Sequence, residues 1–179
     1  CGVLDRLIHN PFPMPFVALK GNHEEMLEAF LADSDAGLQW VYNGGLETLW
    51  SYGVRVRSYG SMNFAWAQDE LRVALPAAHV NFLDGLKLSL SRGKYFFCHA
   101  GVRPGVPLDC QSEQDLLWIR EPFLASTVDF GKIIVHGHTP TPEPEVLPNR
   151  IGIDTGAYDS GRLTCVALDN GGAPRFLKV

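Results

Sequence analysis

The stretch Leu19-Lys20-Gly21-Asn22-His23-Glu24 is the point at which the predicted fold passes from a strand into a helix. Residues 16–20 before it are apolar and β-prone. Residues 24–31 are acidic in their first turn and apolar at helix-spaced positions, which predicts a helix. The glycine permits a sharp turn between the two elements. Asn22 and His23 are therefore expected at the carboxyl end of a strand, where open α/β sheets place their ligands.

The composition excludes several classes of function. The chain has 179 residues, of which 46% are hydrophobic and 20% are charged, so one globular domain with a sizeable core is expected. The net charge is -5 and lysines and arginines are not clustered, which argues against a nucleic-acid surface. No apolar run reaches about 18 residues and no charged leader precedes one, so neither a membrane span nor a signal peptide is expected.

The four cysteines show no CxxC spacing. Cys98 and Cys165 lie in apolar, strand-like runs, which is typical of buried, reduced thiols rather than of disulfides or a zinc cage. This pattern favours a cytoplasmic location.

Local patterns predict the remaining elements of an α/β protein with two packed sheets and helices outside. Residues 54–64 are interpreted as a loop, and residues 169–172 as the turn of a hairpin. Helices are predicted at 3–9, at 38–52 as two short ones, at 65–73, at 77–86 and from 112 to 119. Strands are predicted at 87–91, 95–98, 133–135, 151–154, 163–168 and 176–179.

Three strand-like segments each end in a loop that contains histidine. If these strands share one edge of a sheet, their histidines and one asparagine converge. Imidazoles with one amide oxygen suit Mn²⁺, Fe or Zn²⁺ better than Ca²⁺. The alternative is that each histidine is a separate, hydrogen-bonded structural residue. His9 and His79 are expected to be structural or exposed. The segments are 17–19 before Asn22 and His23, 96–98 before His99, and 133–135 before His136 and His138.

Four motifs, in their order along the chain, give the sequence a family resemblance. It resembles the carboxyl-terminal two-thirds of a bacterial or phage-type serine/threonine phosphoprotein phosphatase, within the calcineurin-like metallophosphoesterases. The motifs are Gly21-Asn22-His23-Glu24, His99-Ala100-Gly101, Gly137-His138-Thr139-Pro140 and Asp154-Thr155-Gly156-Ala157.

The resemblance implies a role for each candidate site residue. Asn22, His99 and His138 would be ligands of one metal ion, and His23 would be the general acid that protonates the leaving group. Arg120 would hold the phosphate oxygens as a planar fork; the alternative for it is a surface salt bridge with Glu121.

Three further residues have lesser expected roles. Arg103 is a weaker candidate for binding phosphate. His136 has a supporting role at most, and Glu24 is expected to orient His23 or to pair with an arginine.

The implied reaction is phosphoester hydrolysis by water that two divalent metal ions activate, Mn²⁺ being favoured and Fe or Zn²⁺ possible. Members of the family also carry Gly-Asp-Xaa-His-Gly and Gly-Asp-Xaa-Xaa-Asp-Arg-Gly, which supply further metal ligands and are not found in these 179 residues. Cys1-Gly2-Val3-Leu4-Asp5-Arg6 is similar to the helix that follows the second motif. We therefore expect residues 1–179 to be one domain, truncated at its amino end, with weak metal binding and little or no activity by itself.

The expected substrate is a phosphoprotein or a small phosphoester, with phosphoserine or phosphothreonine favoured. One alternative is a symmetrical dinucleoside tetraphosphate hydrolase, in which Trp40, Tyr42 or Trp50 would stack on a base; the favoured interpretation places these aromatic residues in the core. Another alternative is a non-catalytic scaffold that binds phosphate or protein. The native metal, the physiological substrate and the oligomeric state are left open.

Overall fold

The chain forms two compact units in a computed structural model, Cys1–Leu86 and Lys87–Val179. The structure describes residues 1–10, 12–56, 64–169 and 172–179. Within these ranges, no helix is long and apolar enough to cross a membrane. The expectation of a single domain stays a prediction.

The described part of the first unit is built from helices, and every helix predicted there is present. Residues 38–52 form two short helices, as expected, joined across a kink at Val41–Gly45, where Asn43 and Gly44 leave the helical conformation. The helices are α1 Gly2–Ile8, α2 Asn22–Ala32, α3 Gly37–Trp40, α4 Leu46–Ser51, α5 Phe64–Ala74 and α6 Ala77–Asp84, with a 3₁₀ turn at Ser34–Ala36.

The strand predicted at residues 16–20 is wrong. The segment has no regular secondary structure apart from a single bridge residue, Leu19. A strand requires a partner along several residues, and local composition does not show whether one is present. The helix after it begins earlier than predicted, so Asn22 and His23 are the first two residues of α2 rather than part of a loop.

Of the three aromatic residues predicted to lie in the core of the first unit, one is buried and two are exposed. Trp40 is buried and stacks on Phe30, with ring centroids 4.9 Å apart. This contact confirms the core interpretation for Trp40. The same interpretation is wrong for Tyr42, which is 79% exposed, and for Trp50, which is 41% exposed. Tyr42 lies two residues beyond Trp40, on the opposite side of a helical turn, so it faces solvent.

The second unit contains two sheets. Their strands are β1 Ser89–Arg92, β2 Tyr95–Cys98, β3 Ile133–His136, β4 Glu145–Val146, β5 Arg150–Gly152, β6 Thr164–Ala167 and β7 Arg175–Lys178. Five strands are arranged in the order β1-β2-β3-β5-β4, and β6 pairs with β7 in a separate antiparallel sheet. The central strands β2, β3 and β5 run parallel, and β1 and β4 pair antiparallel at the edges.

Both faces of the five-stranded sheet are covered by apolar side chains. On one face, Phe96 and Ile134 pack with Leu116 of helix α7, Glu113–Trp118. On the other face, Tyr95, Val135 and Ile151 pack with residues of the two-stranded sheet, Val166 and Phe176 among them. Successive residues of a strand point to opposite faces, which is why β2 contributes to both cores. This layered α/β arrangement confirms the predicted fold class.

Some parts of the second unit were not predicted. Strand β4 and the short helix α8, Ala157–Ser160, carry weak local signals. The β6–β7 hairpin is confirmed, whereas its predicted turn includes residues 170–171, outside the described residues. Residues 57–63 of the predicted loop 54–64 also lie outside them.

The four cysteines are free thiols. Burial raises the pKa of the Cys98 thiol to about 12, so this thiol is inert at neutral pH. Cys165 is exposed on β6, so the prediction that it is buried is wrong.

Candidate metal and phosphate site

The first turn of α2 presents two of the predicted site residues. Asn22 is buried, at 5% exposure, and the next residue, His23, is exposed. Gly21 is the N-cap, with extended backbone, and its N–H donates to the Glu24 carboxylate at 2.8 Å. Glu24 therefore caps the amino terminus of the helix and stabilises its first turn, which contains His23. This hydrogen bond gives Glu24 a structural role. If Glu24 orients His23, as predicted, it does so through the backbone of the turn.

His99 and His138 meet at one edge of the five-stranded sheet. The parallel strands β2 and β3 end side by side, and the two histidines follow them. His99 Nε2 lies 3.2 Å from His138 Nδ1, and the Gly137 N–H donates to the His99 carbonyl oxygen at 2.8 Å. The two residues converge as predicted, and the contact between the rings and the backbone hydrogen bond both stabilise this arrangement.

His138 has a strained backbone. Its φ is 65°, in the left-handed region that residues with a side chain seldom adopt. The Thr139 N–H donates to the Gly137 carbonyl oxygen at 2.8 Å, which closes a three-residue turn around His138. Strain of this kind costs about 1–3 kcal/mol and persists where the surrounding structure enforces it, often at functional sites. The turn directs the imidazole of His138 toward that of His99.

The spacing of these imidazoles fits two ligands of one divalent metal ion. Metal–nitrogen bonds of about 2.0–2.1 Å, at angles between octahedral and tetrahedral, place two ligand nitrogens about 2.9–3.4 Å apart. The observed 3.2 Å lies within this range. Among the described residues, no group of three or more His, Cys, Asp or Glu side chains is arranged to hold a metal ion. The pair can therefore supply part of a site, and further ligands are needed.

His136 lies on β3 and is not available as a ligand. It is 3% exposed, and Phe123 packs edge-on against its ring. The buried guanidinium of Arg150 lies 3.4 Å from its Nε2 and also pairs with Glu145. Burial lowers the pKa of His136 to about 4, so the ring is neutral at physiological pH. These contacts agree with the supporting role expected for His136.

Arg120 follows α7 and is exposed. Its carbonyl oxygen accepts a hydrogen bond from the Leu124 N–H, which anchors the backbone. Of the ion pairs between described residues, none involves the Arg120 guanidinium. The alternative salt bridge with Glu121 is therefore not formed, and the planar donor group is open to a ligand.

Arg103 is already paired. Its guanidinium donates two hydrogen bonds to Asp115, at 2.9 and 2.5 Å, and the Ser112 hydroxyl donates to the same carboxylate. The hydrogen bond from Arg103 keeps the pKa of Asp115 below its usual value. The pair connects the loop after His99 with the start of α7, so a structural role explains Arg103 better than phosphate binding.

Two residues beside the histidines were not predicted for this site. The Trp118 ring lies edge-on to His138, with centroids 5.9 Å apart. The carboxyl group of Asp154 borders Gly137: a Cβ built on that glycine would lie 3.6 Å from the Asp154 Cβ. The motif Asp154-Thr155-Gly156-Ala157 was recognised in the sequence, but the sequence did not indicate that Asp154 would lie beside Gly137.

Each unit carries a part of the predicted site. Asn22 and His23 belong to the first unit, and His99, Arg120 and His138 belong to the second. The roles of these five residues stay predictions.

Comparison with known proteins gives two matches. The sequence profile of the family described as calcineurin-like phosphoesterase matches residues 2–172. The chain is also similar to serine/threonine-protein phosphatase 2 of Escherichia coli (strain K12). The two are 27% identical over 168 residues, which cover 89% of this chain and 69% of that protein.

Proposed function

The chain belongs to the calcineurin-like phosphoesterase family, and we propose that this metal-dependent phosphoester hydrolase acts on phosphoserine and phosphothreonine in proteins. The observation that carries the proposal is the contact between His99 Nε2 and His138 Nδ1, 3.2 Å apart at the carboxyl ends of parallel strands. The similarity to a protein named as a serine/threonine phosphatase supports this choice of substrate.

His99, His138 and Asn22 are the proposed ligands of one divalent metal ion. Two imidazole nitrogens and an amide oxygen suit Mn²⁺, Fe and Zn²⁺. When bound, such an ion supplies Lewis-acid polarisation of the phosphoryl oxygen and neutralises part of its charge. The backbone hydrogen bond between Gly137 and His99 keeps the two rings in place before the ion binds. Preorganisation of this kind lowers the cost of assembling the site.

His23 is the proposed general acid. It is exposed in the first turn of α2, where a substrate oxygen can reach its ring nitrogens. Its proton would pass to the oxygen of the serine or threonine as the bond from that oxygen to phosphorus breaks. The Gly21–Glu24 hydrogen bond holds the turn and therefore limits the positions that the ring can take.

Arg120 is the proposed phosphate clamp. A guanidinium donates two parallel hydrogen bonds to two phosphate oxygens, a geometry that an ammonium group cannot match. Because Arg120 is exposed and has no ion pair among the described residues, it binds phosphate without first breaking one.

A second candidate is hydrolysis of symmetrical dinucleoside tetraphosphates. The exposed rings of Tyr42 and Trp50 favour it, because exposed aromatic rings can stack on bases. A phosphopeptide and a dinucleoside tetraphosphate, offered at equal concentration, distinguish the two activities. Preferred release of phosphate from the peptide supports the proposal, and preferred cleavage of the dinucleotide supports the second candidate.

The primary test is hydrolysis of 4-nitrophenyl phosphate with added Mn²⁺. Since the 179 residues alone are expected to have weak activity, the assay also uses a version joined to the two glycine-aspartate motifs. His23→Asn should lose most of its turnover of a phosphoserine peptide, whose leaving oxygen needs a proton, and less of its turnover of 4-nitrophenyl phosphate. His9→Asn, an exposed control, should leave both unchanged. If neither form hydrolyses either substrate but the protein still binds inorganic phosphate, the proposal is overturned in favour of a binding scaffold.

A further inference from the structure

The kink at Val41–Gly45 places a glycine beside the ring of His23. Gly44 has φ 90° and ψ 8°, and Asn43 before it also leaves the helical conformation. A Cβ built on Gly44 would lie 4.0 Å from His23 Cε1 and 3.9 Å from the Glu47 carboxylate. The bare backbone of the turn therefore lies beside the imidazole.

The ring atom of His23 nearest to a Cβ built on Gly44 is Cε1, which shows which edge of the imidazole lies beside the glycine. Cε1 is bonded to both ring nitrogens, so the edge that carries it is the edge that carries the proton. His23 and Gly44 are both exposed, so solvent and a substrate can reach this edge. The Cβ of any side chain at position 44 would be in van der Waals contact with Cε1, in the space beside the carbon that joins the two nitrogens. Glycine keeps that space open.

Gly53 is a control that separates the contact with the His23 ring from the backbone strain caused by adding a side chain at a positive φ. It has φ 84°, close to the 90° of Gly44, and a Cβ built on it would have no atom within 4 Å. Both glycines occupy a region of φ that residues with a side chain seldom adopt. The two positions thus have the same backbone requirement, and only Gly44 borders a ring.

We propose that Gly44 is a specificity-determining residue, whose missing side chain admits a bulky leaving group to the proton-bearing edge of His23. The leaving group of the proposed reaction is a polypeptide, which needs more room beside the acid than a small aryl alcohol does. This inference rests on the proposed function, because it assigns to His23 the proton that the leaving oxygen receives.

The first experiment measures access to the ring and does not depend on turnover. Diethylpyrocarbonate modifies accessible imidazole nitrogens, and peptide mass spectrometry follows His23, with exposed His9 as the internal reference. Asparagine tolerates the left-handed region better than most residues, so Gly44→Asn and Gly53→Asn are matched variants. Modification of His23 should be severalfold slower in Gly44→Asn and unchanged in Gly53→Asn. Equal rates in the parent and both variants would overturn the inference.

The second experiment measures kcat/KM for two substrates that differ in the size of the leaving group, in whichever form hydrolyses 4-nitrophenyl phosphate. General acids contribute about 10²–10⁴-fold to rate, so Gly44→Asn should lose about 10-fold or more with a phosphopeptide. Its loss with 4-nitrophenyl phosphate should be smaller, because that leaving group is small and departs without a proton. Gly53→Asn should resemble the parent with both substrates.

The outcomes separate this inference from the proposed function. An equal loss with both substrates in Gly44→Asn would refute the role of Gly44 while leaving the phosphatase activity intact. Absence of turnover in both unsubstituted forms, the 179 residues alone and the version joined to the glycine-aspartate motifs, would refute the proposed function and, with it, the assignment of a leaving group to His23. Matching melting temperatures of the two variants would show that backbone strain does not cause the difference.

Discussion

The Nε2 atom of His99 lies 3.2 Å from the Nδ1 atom of His138, although 39 residues separate them along the chain. Parallel pairing of β2 with β3 aligns the ends of the two strands, and the Gly137–His99 hydrogen bond connects the loops that follow. The two nitrogens are therefore positioned by the sheet itself, at a separation suited to one metal ion.

Substitution of either imidazole should weaken metal binding. His99→Asn and His138→Asn should each reduce the affinity for Mn²⁺ by at least about 10-fold, since loss of even a supporting residue around a metal costs 10- to 100-fold. Isothermal titration calorimetry measures the affinity, with His9→Asn as the control. An unchanged affinity in both variants would contradict the assignment.

Arg120 should affect catalysis without affecting stability. Hydrogen bonds to charged groups contribute about 1.5–3 kcal/mol, so Arg120→Ala should lower kcat/KM for an aryl phosphate by about 10- to 100-fold. Arg120→Lys should recover only part of this loss. The melting temperature should stay constant, because the side chain is exposed. The exposed Arg92→Ala is the control, and full activity in Arg120→Ala would exclude the proposed clamp.

Gly101 should tolerate no side chain. A Cβ at this position would lie 2.2 Å from Cδ1 of the buried Phe123 ring, so Gly101→Ala should overpack the core at a cost of about 1–3 kcal/mol. At Gly105, φ is 83° and no atom lies within 4 Å, so Gly105→Ala meets backbone strain without a clash. Urea unfolding measures both variants. A smaller loss for Gly101→Ala than for Gly105→Ala would contradict the packing argument.

A buried hydrogen-bonded chain should stabilise the first unit. Tyr52 Oη lies 2.8 Å from His79 Nδ1, and Asp5 Oδ1 lies 2.9 Å from His79 Nε2, which connects α1 to α6. His79 is 2% exposed, so the structural role expected for it is supported. His79→Ala removes a buried ring and leaves the partly buried Tyr52 hydroxyl without this partner, so it should lower the free energy of unfolding by about 1–3 kcal/mol or more. Guanidinium unfolding tests this, with His9→Ala expected to be near neutral.

The Arg103–Asp115 pair should give the second unit a stability that depends on pH. The hydrogen bond from Arg103 lowers the pKa of Asp115 in the folded state. A carboxyl group of lowered pKa contributes stability above its unfolded value of about 3.9, and this contribution falls as the pH drops through the folded value. The difference in unfolding free energy between the parent and Asp115→Asn should therefore be largest above about pH 5 and shrink in acid.

Urea unfolding of the parent and Asp115→Asn at a series of pH values measures this difference. Asp159→Asn, at an exposed carboxylate on α8, is the control. A difference that stays constant between neutral and acid pH would show that ionisation of Asp115 is not coupled to folding.

Elements with a strong local signal could be predicted from the sequence. Strand Tyr95–Cys98 has the predicted bounds, because its four apolar residues lie between turn residues and pair with strands on both sides. The segment 16–20 has a similar composition but does not form a regular strand. Its composition describes a preference, whereas a strand also needs a neighbour, and the neighbour is a property of the tertiary structure.

The sequence by itself determined the kinds of side chain at the candidate site and their order along the chain. It placed histidines after two apolar strands, and an asparagine and a histidine immediately before a predicted helix. These features are local, because the residue types and their spacing are read without knowledge of any partner.

Only the tertiary structure decided which of these side chains meet and which residues surround them. The parallel register brought His99 to His138, burial made His136 neutral, and the kink at Val41–Gly45 placed Gly44 beside His23. Each of these relationships depends on contacts between residues distant in the sequence. Such contacts are set by strand pairing and core packing, which no local pattern specifies.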